Sequence, residues 1–264
     1  MPFTVATYNI LASAYIKPEW YPRTPAELLE PGWRVGAVAG HLGELGADLG
    51  CLQEVERAMF DGVERELGAR GYAGRLALKA RDKPDGCAAF FRSGVVVEVR
   101  SLRLVYADAH EDQPQSGHVA QILVLKVEGR VLGVANTHLK WDQPKTARDR
   151  QYGLRQMREL LEARRLLAPE CEGWVVCGDL NVTLDSAVAE ALREAGFRPS
   201  HDARAATATC NPNGRARRID FIFHDAALCA EPLAGPVVVD ETPLPGPEEP
   251  SDHVAVMARM AWVN

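Results

Sequence analysis

The feature that most restricts the fold is a set of short apolar runs, each meeting a polar residue at one end. Strand-like segments fall at Phe3–Leu11, Asp48–Gln53, Cys87–Arg92, Val95–Tyr106, Val119–Glu128, Val131–Leu139, Trp174–Asp179, Ile219–His224 and Val254–Trp262, most of them rich in Val, Ile, Leu and Phe. Several are apolar on both faces. That requires cover on each side, one face against another sheet and the other against helices. Helical spacing between the runs supplies the cover: Val35, Val38, Leu42 and Leu45 recur every three or four residues. The same spacing runs through Thr146–Leu167 by way of Leu154, Met157, Leu160 and Leu161, and through Leu184–Ala195 by way of Leu184, Val188 and Leu192. The pattern predicts an α/β chain. The proline-dense segments Tyr15–Trp33 and Asp240–Pro250 read as surface loops. Neither is long enough to mark a linker, so residues 1–264 are expected to form one domain.

A net charge of −6 and a pI near 5.7 exclude a protein that coats duplex nucleic acid non-specifically, which needs a surplus of Lys and Arg; a local basic cleft remains compatible. The cysteines, Cys51, Cys87, Cys171, Cys177, Cys210 and Cys229, show no Cys-x-x-Cys or repeated Cys/His spacing. They read as buried, reduced thiols, and a cytoplasmic location is expected. The first residues, MPFTVATYNILASAY, lack a basic leader with an apolar core, and no apolar run approaches the roughly 20 residues of a membrane span. A soluble protein with no membrane partner is expected.

The polar residues carry the functional signal through their placement. Asn9 interrupts TYNIL, Glu54 closes LGCLQE, and Asn136 with His138 closes VLGVANTHL. Asp179 and Asn181 end WVVCGDLN, Asp220 opens RIDFIF, and Asp252 with His253 opens SDHVAVMARM. Strand ends gathered at one edge of a sheet sandwich would bring these groups into one cleft on a rigid base. Carboxylates without thiolates favour a hard cation such as Mg²⁺ over zinc, and amides and imidazoles beside such an ion suit a phosphate under in-line attack.

Taken singly, each residue has a plainer explanation. Glu54 can be a solvated strand end, Asn9 a turn residue, His138 a structural histidine, and Asp179-Leu180-Asn181 a cap for the helix beginning near Thr183. Asp220, beside Arg217 and Arg218, can be half of a surface ion pair. Their joint occurrence in this order is what the plainer explanations leave unaccounted for.

TYNIL, LQE, DGCAAFF, NTHL, GDLN, RIDFIF and SDH, in that order along nearly the whole chain, resemble the endonuclease/exonuclease/phosphatase superfamily. TYNIL with the following proline-rich segment and KPDGCAAFFR is most similar to its deadenylase, nocturnin, 2′-phosphodiesterase and Angel-like branch. The resemblance implies a four-layer α/β/β/α sandwich of two mixed sheets flanked by helices, with the active site at one sheet edge. It implies Glu54 as the principal Mg²⁺ ligand, with Mn²⁺ a substitute, and Asn9 and Asp252 completing the shell directly or through water. Asp179 would orient and deprotonate the attacking water, helped by Asn181. His138 and His253 would donate to the non-bridging oxygens, with Asp220 and Asp252 as candidate carboxylate partners for the imidazoles. Which carboxylate serves which histidine, and the number of ions, stay open.

Candidate substrate contacts are Asn136, Trp141, Arg148 and Arg218; Arg binds phosphate and Trp stacks on a base. A solvated helix face explains Arg148 as readily. The leading functional reading is Mg²⁺-dependent hydrolysis of phosphoesters in RNA ends or nucleotides, either 3′-exoribonuclease action or opening of a 2′,3′-cyclic phosphate or 2′-phosphodiester. A DNA endonuclease or repair nuclease, a phosphoinositide or sphingomyelin hydrolase, and a catalytically silent binding module are the alternatives. The sequence is silent on oligomeric state.

Overall fold

The computed structural model describes residues 1–201 and 207–263. One six-stranded sheet contains β1 (Phe3–Asn9), β2 (Leu49–Gln53), β3 (Tyr72–Leu78), β4 (Gly86–Arg92), β11 (Leu228–Pro232) and β12 (Val256–Trp262), in the order β11-β12-β1-β2-β4-β3. The other contains β5 (Val96–Val105), β6 (Val119–Val127), β7 (Arg130–His138), β8 (Gly173–Asp179), β9 (Arg198–Pro199) and β10 (Asp220–His224), in the order β5-β6-β7-β8-β10-β9. Each sheet is mixed: β1 and β2 are parallel, as are β7 and β8, and the other pairings are antiparallel. Helices α1 (Pro31–Leu45) and α2 (Arg57–Gly68) cover the first sheet; α3 (Tyr152–Leu167) and α4 (Ala187–Glu194) cover the second. The layers run α/β/β/α, as expected.

Period-two alternation sorts the strand residues into these layers. Phe3, Val5, Leu49, Cys51, Leu132, Val134, Val175, Cys177 and Ile222 pack between the sheets. Tyr8, Leu52, Ala88 and Phe90 turn the other way onto α1 and α2, while Ala135, Trp174, Val176, Phe221 and Phe223 turn onto α3 and α4. Extending the inter-sheet rows by twos leads to Asn9 on β1, Gln53 on β2, Asn136 and His138 on β7, and Asp179 on β8; on β10 the row starts at Asp220. The polar groups therefore sit at one rim of the inter-sheet layer.

Several elements differ from expectation. Helix α3 starts at Tyr152 because the Asp142 carboxylate takes the free N–H groups of Tyr152 and Gly153, both at 2.9 Å; Arg148–Arg150 before it is a single 3₁₀ turn. Helix α1 begins at Pro31, whose missing N–H costs nothing at a first helical position. The proline-dense segment before it is built of 3₁₀ turns at Ser13–Tyr15, Pro18–Trp20 and Ala26–Leu29. Strands β3, β9 and β11 and helix α2 are additions. All six cysteines are free; Cys51, Cys87, Cys177 and Cys210 are buried as expected, but Cys229 is exposed and Cys171 half-buried. Among the described residues no helix is long and apolar enough to cross a membrane.

Candidate active site

Backbone geometry at the rim is unusual for its residue types. Leu11, Glu54 and Asn181 adopt left-handed φ values of 58°, 58° and 54°. Asn tolerates that region, whereas for Leu and Glu it costs about 1–3 kcal/mol and persists only where surroundings enforce it. Two motif glycines have steric causes. A Cβ on Gly178 of GDLN, at φ 142°, would lie 1.8 Å from Thr137 O, and one on Gly86 of DGC would lie 2.2 Å from Ala77 O.

The side chains close into one network. Asn9 Nδ2 donates to Glu54 Oε1 at 3.2 Å and to Asp179 Oδ2 at 3.0 Å, bridging the sheets. Ala12 N donates to Glu54 Oε2 at 2.9 Å, and Asn181 N to Asp179 Oδ1 at 2.9 Å. Asn181 Nδ2 donates to Leu139 O at 2.9 Å and meets His138 Nε2 at 3.0 Å, so Nε2 accepts and the proton of His138 sits on Nδ1. That Nδ1 is buried, without a partner, and 3.9 Å from Glu54 Oε1. Burial, reinforced by Lys79, His118, His253 and Lys83, pushes the His138 pKa well down, so the ring is neutral.

His253 is the opposite case. Its Nδ1 lies 2.9 and 3.1 Å from the two oxygens of Asp220, which also accepts from Thr209 Oγ1 at 2.6 Å. Burial pulls its pKa down, but Asp220, Asp179 and Asp252 together push it well above the ordinary value, giving an imidazolium with Nε2 3.8 Å from Asp179 Oδ2. The question left open by sequence is settled for His253: Asp220 is its partner. Asp252 instead accepts from Tyr21 OH at 3.0 Å. Burial and Asp220 raise the Asp179 pKa to about 7, against the pull of His253, Asn9 and Asn181.

Residues not anticipated from sequence hold this arrangement. Ser251 Oγ donates to Asn9 O at 2.7 Å and accepts from His253 N. Thr209–Asn211 lies along Asp252–Val254, with Asn211 N on Asp252 O and Val254 N on Thr209 O, both at 2.8 Å. Buried Arg34 donates to Ile10 O, Leu11 O and Pro250 O. Lys79 and Asp85 form a buried ion pair at 2.6 Å, and Tyr15 OH donates to Asp85 at 2.7 Å. Ser251 belongs to SDH and Asp85 to DGC, so those motifs carried a signal; Tyr21, Arg34 and Thr209 had none.

The expected substrate contacts fare less well. Asn136 is fully buried: its Nδ2 donates to Leu52 O, Ala88 O and Gln121 Oε1, and its Oδ1 accepts from Gln53 Nε2 at 2.7 Å. It stitches the sheets beneath the site and has no donor left for substrate. Arg148 pairs with Glu190 at 2.5 Å on the exposed helical surface. Arg218 lies over the Phe221 ring and donates to His201 O at 3.2 Å. Trp141 is half-exposed just beyond His138.

The donor set suits a hard divalent cation. Burial, with Asp252 and Asp85, raises the Glu54 pKa against the pull of Lys79, a surplus of negative charge that a cation relieves. Glu54, Asp252 and Asn9 Oδ1, which also accepts from Leu11 N at 3.0 Å, are the groups that could hold it. Cys210, Asp220 and His253 also cluster, with candidate ligand atoms within 4.8 Å of one another. There, burial and the nearby carboxylates push the Cys210 thiol far up, and Asp220 is committed to His253 and Thr209, so this cluster is a hydrogen-bonded support.

Residues 6–253 match the endonuclease/exonuclease/phosphatase family. The chain belongs to that family. Among its relatives, 2′,5′-phosphodiesterase 12 of Homo sapiens is 26% identical over 325 aligned residues, covering 97% of this chain and 51% of that protein. Carbon catabolite repressor protein 4 homolog 6 of Arabidopsis thaliana is 30% identical over 208 residues, covering 69% of this chain and 26% of the relative. The chain thus spans between a quarter and a half of these curated relatives. The fold matches that of ANGEL2, a 2′,3′-cyclic phosphatase, with a TM-score of 0.84 at 20% identity, covering 98% of this chain and 95% of the other. It matches the human nocturnin catalytic domain at 0.76 and 24% identity, covering 99% and 94%. The branch implied by TYNIL and KPDGCAAFFR is the one these comparisons return.

Proposed function

We propose that the chain is a Mg²⁺-dependent hydrolase of phosphoester bonds in RNA ends or nucleotides, acting as a 3′-exoribonuclease or on 2′,3′-cyclic phosphate or 2′-phosphodiester groups. The observation that carries this reading is the convergence of Glu54, Asp179, Asp220 and Asp252 with a neutral His138 and a cationic His253 at one rim. The acidic net charge favours a compact end or nucleotide over a long duplex.

A bound Mg²⁺ would supply Lewis-acid stabilisation of the phosphate, held by Glu54, Asp252 and Asn9. The chain's own residues supply the rest. Asp179, oriented by Asn9 and Asn181 and with a pKa near neutrality, takes the proton of the attacking water. His253 donates Nε2–H to a non-bridging oxygen, its charge sustained by Asp220. His138 offers its unpaired Nδ1–H to another.

The test is a cleavage panel of 3′-hydroxyl RNA, 2′,3′-cyclic phosphate RNA, 2′,5′-linked oligoadenylate and abasic DNA, with Mg²⁺, with chelator, and with Glu54→Ala. Chelator-sensitive turnover of at least one RNA substrate, lost in Glu54→Ala, is expected. Turnover confined to DNA, or unaffected by both chelation and Glu54→Ala, would overturn the reading.

A further inference from the structure

Beside His138 lies a buried polar cluster that the phosphate chemistry does not use. In residues 106–118, which join β5 to β6, Ser116 N donates to Asp108 Oδ1 at 2.7 Å and Ser116 Oγ donates to Asp108 Oδ2. His118 Nδ1 lies 3.1 Å from Ser116 Oγ. Asp, Ser and His in contact suggest a nucleophilic triad, but here the serine stands between the other two. Its single hydroxyl proton goes to the carboxylate, so the imidazole does not withdraw it; His118 Nδ1 carries the ring proton and donates to Oγ. Burial, with Lys79, Lys83 and Lys140, holds the His118 pKa down at about 2, so the ring is neutral.

Helix α3 fixes this cluster, chiefly through one side chain. Gln156, 0% exposed, donates from Nε2 to Asp108 Oδ2 and, at 3.0 Å, to Ser116 Oγ, and its Oε1 accepts from Lys140 N at 2.9 Å. Arg155 adds bonds from Nε and Nη2 to Asp108 O at 3.1 and 3.0 Å. One amide thus ties the chain two residues past His138 to the loop that carries His118. The His118 and His138 rings meet perpendicular, with centroids 6.0 Å apart and planes at 85°, an arrangement aromatic pairs favour. That contact supplies what hydrogen bonding lacks. Asn181 holds His138 at Nε2, but Nδ1 is buried without a partner among the described residues, which leaves the ring free to tilt about the Nε2 contact.

We propose that His118 is a positioning residue for His138: its ring, tethered to α3 through Ser116, Asp108 and Gln156, fixes the plane in which His138 presents Nδ1–H. The proposal rests on the phosphoesterase reading for what His138 then does to the phosphate. Its test compares His118→Leu with His118→Phe, which lose the same hydrogen bond and differ in keeping an aromatic plane, and adds Ser116→Ala, which keeps the ring and cuts its tether. His118→Leu should lower kcat by about 10-fold with KM changed less than about 2-fold, and His118→Phe should recover most of that loss. Ser116→Ala should fall between them. In histidine-selective ¹H–¹³C spectra of the metal-free full chain, His138 should give one sharp ring signal in the wild type and in His118→Phe, and a broadened or doubled one in His118→Leu. Equal kcat losses in the Leu and Phe variants, a KM rise as large as the kcat fall, full kcat in Ser116→Ala, or a single sharp His138 signal in folded His118→Leu would overturn it. A disturbed His138 signal without turnover in the cleavage panel would keep the positioning and reject the reaction; turnover with kcat unmoved in His118→Leu would do the reverse.

Discussion

Replacing Arg34 by Met tests how the end of β1 and the Ser251–His253 loop are held together. The Arg34 side chain is 0% exposed; Nη1 donates to Leu11 O at 2.6 Å, and Nη2 donates to Ile10 O and, at 3.1 Å, to Pro250 O. Two of these carbonyls follow Asn9 directly, and the third precedes Ser251. Methionine fills most of the stem but leaves three buried acceptors unpaired, each costing about 1–3 kcal/mol. The terms share one group and do not add fully, so a net loss of about 3–5 kcal/mol is expected, as for breaking a buried charged network. That is a large part of the ~5–15 kcal/mol of a typical domain. Urea unfolding at constant m-value measures it. Where Arg34→Met remains folded, kcat should fall by at least about 10-fold, because Asn9 and Asp252 lose their mutual register. Arg34→Lys, with one ammonium, should recover part of both. A stability loss below about 1 kcal/mol, or full kcat in the folded variant, would refute the reasoning.

Asp220→Asn should lower kcat by about 10- to 100-fold with little change in KM, since His253 loses the charge that keeps it protonated; steady-state kinetics on the best substrate from the cleavage panel reads the split. His118 has its pKa driven down to about 2 by burial and by Lys79, Lys83 and Lys140. Its folded pKa lies below the unfolded value of about 6.5, so stability is full above pH 6.5 and lost as pH falls, at up to about 1.4 kcal/mol per pH unit. Urea midpoints from pH 7.5 to 5 should drop in the wild type and drop less in His118→Gln; identical slopes would reject this assignment. Gly178→Ala should cost several kcal/mol or abolish folding, as measured by thermal unfolding, because its Cβ meets the Thr137 backbone and no side chain is there to yield.

The layers were legible because their cause is local. Apolar runs without alternation demand cover on both faces, and Leu154, Met157 and Leu160 display the covering stripe directly. What escaped is what local pattern hides. Helix α2 carries Met59, Phe60, Val63 and Leu67 on one face, but Gly62 and Gly68 dilute the signal; Gly62 is needed because a Cβ there would meet Val35 of α1 at 2.4 Å. Strands β3 and β11 lie at sheet edges, where one half-exposed side removes the apolar continuity that marks a central strand.

Asn9 and Asn136 show where sequence reasoning on the site reaches its limit. Both follow apolar residues on the inter-sheet face of a strand, and both are buried amides. Asn9 is the last residue of β1, so its amide reaches past the packed layer to Glu54 and Asp179. Asn136 lies two residues before the end of β7, one step down the same face, and its hydrogen bonds close on Leu52, Ala88, Gln53 and Gln121. A single period-two step thus separates a group at the reacting centre from one in its floor. Sequence places the strand; the depth of its end within the sandwich depends on β2, β4 and β6, whose register with β1 and β7 arises only in the folded pair of sheets. The floor also explains how the rim tolerates its charge. With Gln53 Nε2 bonded to Thr7 Oγ1 and Asn136 Oδ1, and Asn136 Nδ2 to Gln121 Oε1 beneath it, Asp179 and Asp220 rest on a fixed polar layer, and the field that raises Asp179 and protonates His253 is held in place by both sheets at once.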